Sequence, residues 1–228
     1  MARREKSRNS RRHLITFMAH IVLLGDSIFD NKSYVGANGR DVVTHLRESL
    51  PNDWQAALKA VDGSLIENVS KQLSSVPSDA THLVVSVGGN DAIRNADVLQ
   101  MKAENSAGVL SEIAKRSEIF ESQYKEMLRS ILVKNLPTAV CTVYFPNFPE
   151  AIFQRLAVTA LSVFNDAIIR QAVINGLPII DLRLICSEAS DYANAIEPSD
   201  KGGRKIAAKI LELVETHDFK NRKTQIFA

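Results

Sequence analysis

Three successive apolar runs each end in residues able to do chemistry. Ile21-Val22-Leu23-Leu24 stops at Gly25-Asp26-Ser27, Trp54 to Val61 stops at Asp62-Gly63, and His82 to Val87 stops at Gly88-Gly89-Asn90-Asp91. Each ending alone has the composition of a turn. Placed side by side they combine a hydroxyl, a glycine N–H and a primary amide. A hydroxyl beside two hydrogen-bond donors is what acyl transfer needs: the hydroxyl attacks a carbonyl, and the donors stabilise the oxyanion that develops.

Juxtaposition requires a sheet. Apolar runs of this length bounded by turn residues read as buried strands. They are expected at 20–25, 54–61, 82–87, 138–145 and 177–182. Helical stretches are expected at 39–49, 65–74, 107–135, 150–175 and 200–215. The long helix carries Ile113, Phe120, Tyr124, Leu128 and Ile131 at helical spacing. Ser199 is placed to cap the last helix, with Asp200 in its first turn. This alternation predicts a parallel sheet with helices on both faces, a three-layer α/β/α domain whose strand ends open on one edge.

Composition narrows the alternatives. The 228 residues carry a net charge of +2. Arg3, Arg4, Lys6, Arg8, Arg11 and Arg12 stand against Glu5 in the first 17 residues, so the rest of the chain is slightly acidic. That argues against a nucleic-acid-binding body, which needs a basic patch. The expected organisation is a basic disordered leader at 1–17, one domain at 18–216 and a C-terminal tail at 217–228. There is no secretory pattern and no uninterrupted apolar run of about 18 residues, so no membrane span is expected. The two cysteines, Cys141 and Cys186, are far apart in sequence. No zinc pattern, P-loop or Gly-rich dinucleotide fingerprint is present, so no metal and no cofactor are expected. Unpaired thiols and the absence of a signal point to the cytoplasm.

Gly25-Asp26-Ser27, Gly63 and Gly88-Gly89-Asn90-Asp91 resemble the first three blocks of the SGNH (GDSL-type) hydrolases, as do Phe29-Asp30-Asn31 and Tyr34-Val35 around the first. The resemblance spans residues 20–214. It implies a flavodoxin-like fold and esterase, lipase or deacetylase chemistry on a small ester or acyl substrate. Ser27 would be the nucleophile. Its own N–H, the Gly63 N–H and the Asn90 amide would form the oxyanion hole, and Asp26 and Asp91 would contact substrate.

The last block departs from the family pattern Asp-x-x-His. Here the stretch is Asn194-Ala195-Ile196-Glu197-Pro198-Ser199. Glu197 stands at the base position and Asn194 at that of the orienting acid. His82 is expected at the opposite sheet edge, His217 beyond the last helix, and His13 and His20 before or at the first strand. His45 lies on the first helix. None replaces the missing imidazole. A carboxylate with an ordinary pKa of about 4.3, against about 6.5 for imidazole, is a weaker base by roughly 3 kcal/mol, which burial can partly recover. Asn194 would donate an amide hydrogen bond to Glu197 where an Asp would repel it. The expected activity is a serine hydrolase with Glu197 as altered base. The alternatives are a silent domain binding an acyl or carbohydrate ligand in the same cleft, or an interaction protein that kept the fold.

Overall fold

The computed structural model describes residues 18–102 and 104–228. The basic leader expected at 1–17 lies outside them. Strands β1 (His20–Gly25), β2 (Gln55–Leu58), β3 (His82–Ser86), β4 (Thr138–Cys141), β5 (Ile179–Ile180) and β6 (Ile226–Phe227) form one sheet in the order β2-β1-β3-β4-β5-β6. Every pairing is parallel. Helices α1 (Val42–Ser49), α2 (Val69–Leu73), α3 (Gly89–Arg94), α4 (Ser106–Leu132), α5 (Ala151–Asn175), α6 (Leu182–Ile185) and α7 (Asp200–Thr216) connect them. This is the three-layer α/β/α arrangement expected.

Continuous apolar strands follow from covering both faces of a sheet. Alternate residues of β1 point to opposite sides. Ile21 and Leu23 pack with Leu46 of α1 and Ile206 and Ile210 of α7. Val22 and Leu24 pack with Val69 of α2, Tyr124 and Leu128 of α4 and Ile168 of α5. The capping residues act as local physics requires. Asp41 accepts from Thr44 N–H before α1, Asn105 from Gly108 N–H before α4, and Ser199 from Gly202 N–H before α7.

β1 spans the whole of its expected range, while the other four expected strands are shorter; β5 keeps two residues of the six expected. Residues 182–185, at the end of that run and just beyond it, turn into α6, whose start is capped by the Asp181 carboxylate on Arg183 N–H. The tail expected at 217–228 is a correction. Gln225 and Phe227 carbonyls accept from Ile179 and Asp181 N–H groups at 2.8 Å each, and Phe227 is buried. Residues 226–227 thus cover the outer edge of β5. Among the described residues one helix, α5, is long and apolar enough to cross a membrane by length and hydropathy. Here its Phe164, Ala167, Ile168 and Ala172 pack into the core.

With β1 flanked by β2 and β3, successive strands are added to one side of β1 and then to the other, so the strand order reverses between β1 and β3. Open parallel sheets bind ligands at such switch points, beyond the strands' carboxyl ends. Gly25 pairs in register with Ser86 there, so the segments carrying Ser27 and Asn90 leave the sheet side by side.

Candidate active site

Ser27 follows a turn that only glycine permits. Gly25 has φ 130°, and a Cβ there would stand 1.7 Å from the Ser86 carbonyl oxygen. The buried Gln72 side chain brackets that glycine: Oε1 accepts from Gly25 N–H and Nε2 donates to Gly25 C=O, both at 2.8 Å. Asp26 N–H donates to Ser86 C=O, and Asp26 C=O accepts from the N–H groups of Phe29 and Asp30. The nucleophile candidate therefore sits in a closed network of backbone bonds.

The Ser27 hydroxyl donates to Glu197 Oε1 at 3.0 Å across 170 residues of sequence. Both side chains are buried. Glu197 Oε2 is buried with no hydrogen-bond partner among the described residues. Burial pushes the Glu197 carboxyl up to about 7; the Ser27 hydrogen bond opposes that and the charge of Asp62 adds to it. Asp26, one residue before the serine, is pushed up to about 8, mainly by burial, although the Ile28 N–H bond favours its ionised form.

The segment bearing Glu197 has no regular secondary structure, yet four successive carbonyls are each held, three of them from distant parts of the chain. Asn147 N–H donates to Ala195 C=O, the Tyr144 hydroxyl to Ile196 C=O, Ala193 N–H to Glu197 C=O, and Asn31 Nδ2 to Pro198 C=O. Asn31 is fully buried, and its Oδ1 accepts from Val42 N–H at the start of α1. The sequence does not assign Tyr144 or Asn31 this holding role; its only signals are a Tyr closing an apolar strand run and an Asn beside the Gly-Asp-Ser turn.

Asn194 does not orient Glu197 as expected. Its Oδ1 accepts from the N–H groups of Ile196 and Glu197 at 2.8 and 3.0 Å. This is an Asx turn, the local bonding that Asn offers its own backbone. The side chain shapes the loop and leaves the carboxylate alone. Asn90 lies in the first turn of α3, and its Nδ2 donates to Ser64 C=O at 3.0 Å. That bond ties α3 to the Gly63-Ser64 turn. Gly63 has φ 75° and is exposed. Asp91 accepts from Ile66 N–H and faces a different, smaller cavity, so its carboxylate braces the segment before α2.

Among the described residues no histidine hydrogen-bonds to Ser27 or lines the cavity beside it. His45 Nε2 lies 3.1 Å from Asp200 Oδ1. His82 is held low, near 4, by burial and stacks edge-on against Phe219. His217 also meets Phe219.

A cavity of 270 Å³ opens beside Ser27. Asp26, Ser27, Asn90 and Glu197 form its polar end, and most of the remaining wall is carbon. Gly63, Asp91 and Asn194 are not part of this wall. Pro146 and Phe148 of the aromatic loop after β4 line it, while Phe145 does not. A stripe of α5, not anticipated from sequence, forms one side.

Residues 23–205 match the model of the GDSL-like lipase/acylhydrolase family. The chain belongs to that family. A search of curated proteins gives no match. Among solved structures, the chain is similar to an extracellular lipase from Streptomyces rimosus, with 18% identity, 88% of this chain and 100% of that one covered, and a TM-score of 0.61. It is also similar to the acetyl xylan esterase AlAXEase, with 17% identity, 86% and 99% coverage and a TM-score of 0.62. A phospholipase A1 from Streptomyces albidoflavus aligns at 18% identity over 88% of this chain and 99% of its own, with a TM-score of 0.56. At these identities the likeness carries the SGNH-hydrolase fold.

Proposed function

We propose that this GDSL-like family member is a serine hydrolase of carboxylic esters in which Ser27 is the nucleophile and Glu197 the general base. The observation that carries the reading is the 3.0 Å Ser27 Oγ to Glu197 Oε1 hydrogen bond at the polar end of an apolar cavity. The distance lies within the range for proton transfer between nucleophile and base.

The raised carboxyl also supports this reading. Near neutral pH about half of Glu197 is ionised, which brings its basicity close to that of an imidazole. Ser27 Oγ forms a bond to the ester carbonyl carbon while its proton passes to Glu197. The carbonyl oxygen becomes an oxyanion, stabilised by the Ser27 N–H and by the Asn90 amide, whose second N–H remains for it after the bond to Ser64. The Gly63 N–H is the third donor proposed. The tetrahedral carbon then expels the alkoxide, which takes the proton from Glu197. Water attacks the resulting acyl-Ser27, gives its proton to Glu197, and the acid leaves as the proton returns to Ser27.

A fluorophosphonate probe tests the nucleophile directly. Wild type is expected to gain one covalent label on Ser27 and to hydrolyse p-nitrophenyl esters, and Ser27→Ala to do neither. Labelling elsewhere, or esterase activity that survives Ser27→Ala, overturns the assignment. An unlabelled wild type that still binds neutral acyl amides would favour the silent ligand-binding alternative.

A further inference from the structure

We propose that the cavity is a pocket for an uncharged acyl chain of about eight to ten carbons, and that Ala157 and Ala160 of α5 set its length. The inference rests on the hydrolase reading for the orientation of the ester, and on the cavity alone for the chain.

Size sets the first limit. An apolar protein cavity of about 150 Å³ takes a benzene, six carbons. On that scale 270 Å³ holds about ten. An acetyl group would leave most of this space unfilled.

The wall sets the second limit. Phe153, Ala157, Ala160, Leu161 and Phe164 all face the cavity from α5. Their spacing of four, three, one and three residues is one face of a helix. Two of the five are alanines, and a larger side chain at either position would occupy volume that is now open. Phe153 packs edge-on against Phe148, with ring centroids 4.8 Å apart, so those two rings form a fixed part of the wall.

Charge sets the third. Arg116 reaches the cavity, but its guanidinium is committed to Asp97, to Glu112 and to the Asn95 carbonyl. It is already neutralised, and no other cationic side chain among the described residues lines the wall. At the other end the Glu197 carboxylate, when ionised, would repel an anionic group. A neutral, apolar chain is the occupant this combination fits.

The test is kcat/KM of the full chain for straight-chain p-nitrophenyl esters from two to fourteen carbons. Each methylene buried in the pocket should raise kcat/KM by up to about fourfold, with an optimum near eight to ten carbons. Ala160→Phe and Ala157→Leu should lower the decanoyl-to-butyryl ratio at least tenfold, and Phe153→Ala should move the optimum to longer chains. Each ratio is taken within one variant, so a loss of folded protein cancels. Calorimetric binding of decanamide to Ser27→Ala, with and without Ala160→Phe, gives a readout without turnover, and the second variant should bind at least tenfold more weakly. Hydrolysis that is fastest on acetyl esters, or an optimum unmoved by the alanine variants, overturns the pocket while leaving the hydrolase standing. Decanamide binding that depends on Ala160, with no ester hydrolysed, upholds the pocket and fails the hydrolase. Absence of both overturns the pocket.

Discussion

Ser27 and Glu197 meet at one hydrogen bond but are positioned by opposite means. The serine is held by the sheet itself: β1 ends, Gly25 turns against Ser86, and Gln72 closes the bracket. The glutamate sits on irregular chain just before α7, and its position depends on one local N–H and on side chains and an N–H group sent from distant parts of the sequence. One region is rigid because of its secondary structure. The other is rigid only because each of its carbonyls has found a partner. The two should therefore break differently.

The largest expected effect is on turnover. Glu197→Gln keeps the shape and a hydrogen-bond acceptor but cannot take a proton, so kcat/KM for p-nitrophenyl esters should fall by about 10²–10⁴. Wild-type activity should rise with pH through about 7 as Glu197 ionises, and that limb should vanish in the variant. A limb that persists unchanged would assign it to another group.

Next comes the strand end. Gly25→Ala meets both a positive φ and a backbone oxygen, and should cost about 2–4 kcal/mol of folding free energy in urea unfolding. An effect below about 0.5 kcal/mol would show that the bracket is looser than its geometry.

Asn31→Ala strips partners from Pro198 C=O and Val42 N–H and should cost about 1–3 kcal/mol. Because it frees the base segment, kcat should fall about tenfold with little change in KM. Loss of stability with intact kcat would mean that Asn31 supports the fold without positioning the base.

The smallest effect sits between the two regions, at the two buried carboxyls. Asp26 and Glu197 hold their protons more tightly folded than unfolded. Their stabilising contribution is full below about pH 4 and is lost as pH rises through about 7 and 8. Asp26→Asn should flatten that decline and raise stability at pH 8.5 by about 1 kcal/mol, the low end for a buried polar group because the cavity is open to water. A steeper decline in the variant would reverse the reading.

How much of this was legible in sequence follows the same division. Buried parallel strands are apolar on both faces, so β1 and β3 and the residues ending them stand out as continuous runs, and the position of Ser27 follows. Glu197 could be located by its place in the last block. What Asn194 does with its amide could not, because an Asn can bond its own loop or a neighbour's side chain, and the competition is decided by local backbone angles. Two-residue β5 and β6 carry too little periodicity to separate from loop. The cavity face of α5 is hidden for a different reason: alanines at 157 and 160 read as helix formers whether they face core, solvent or a void.

The two residues of β6 have a consequence outside catalysis. Without them the free N–H and C=O groups of β5 would form an open template at the side of a parallel sheet, the kind of edge on which chains join one another. Ile179 and Asp181 instead donate to the Gln225 and Phe227 carbonyls beyond that edge. During synthesis that protection arrives after the other five strands have been made, so the interval before it closes is when this chain is most exposed to self-association.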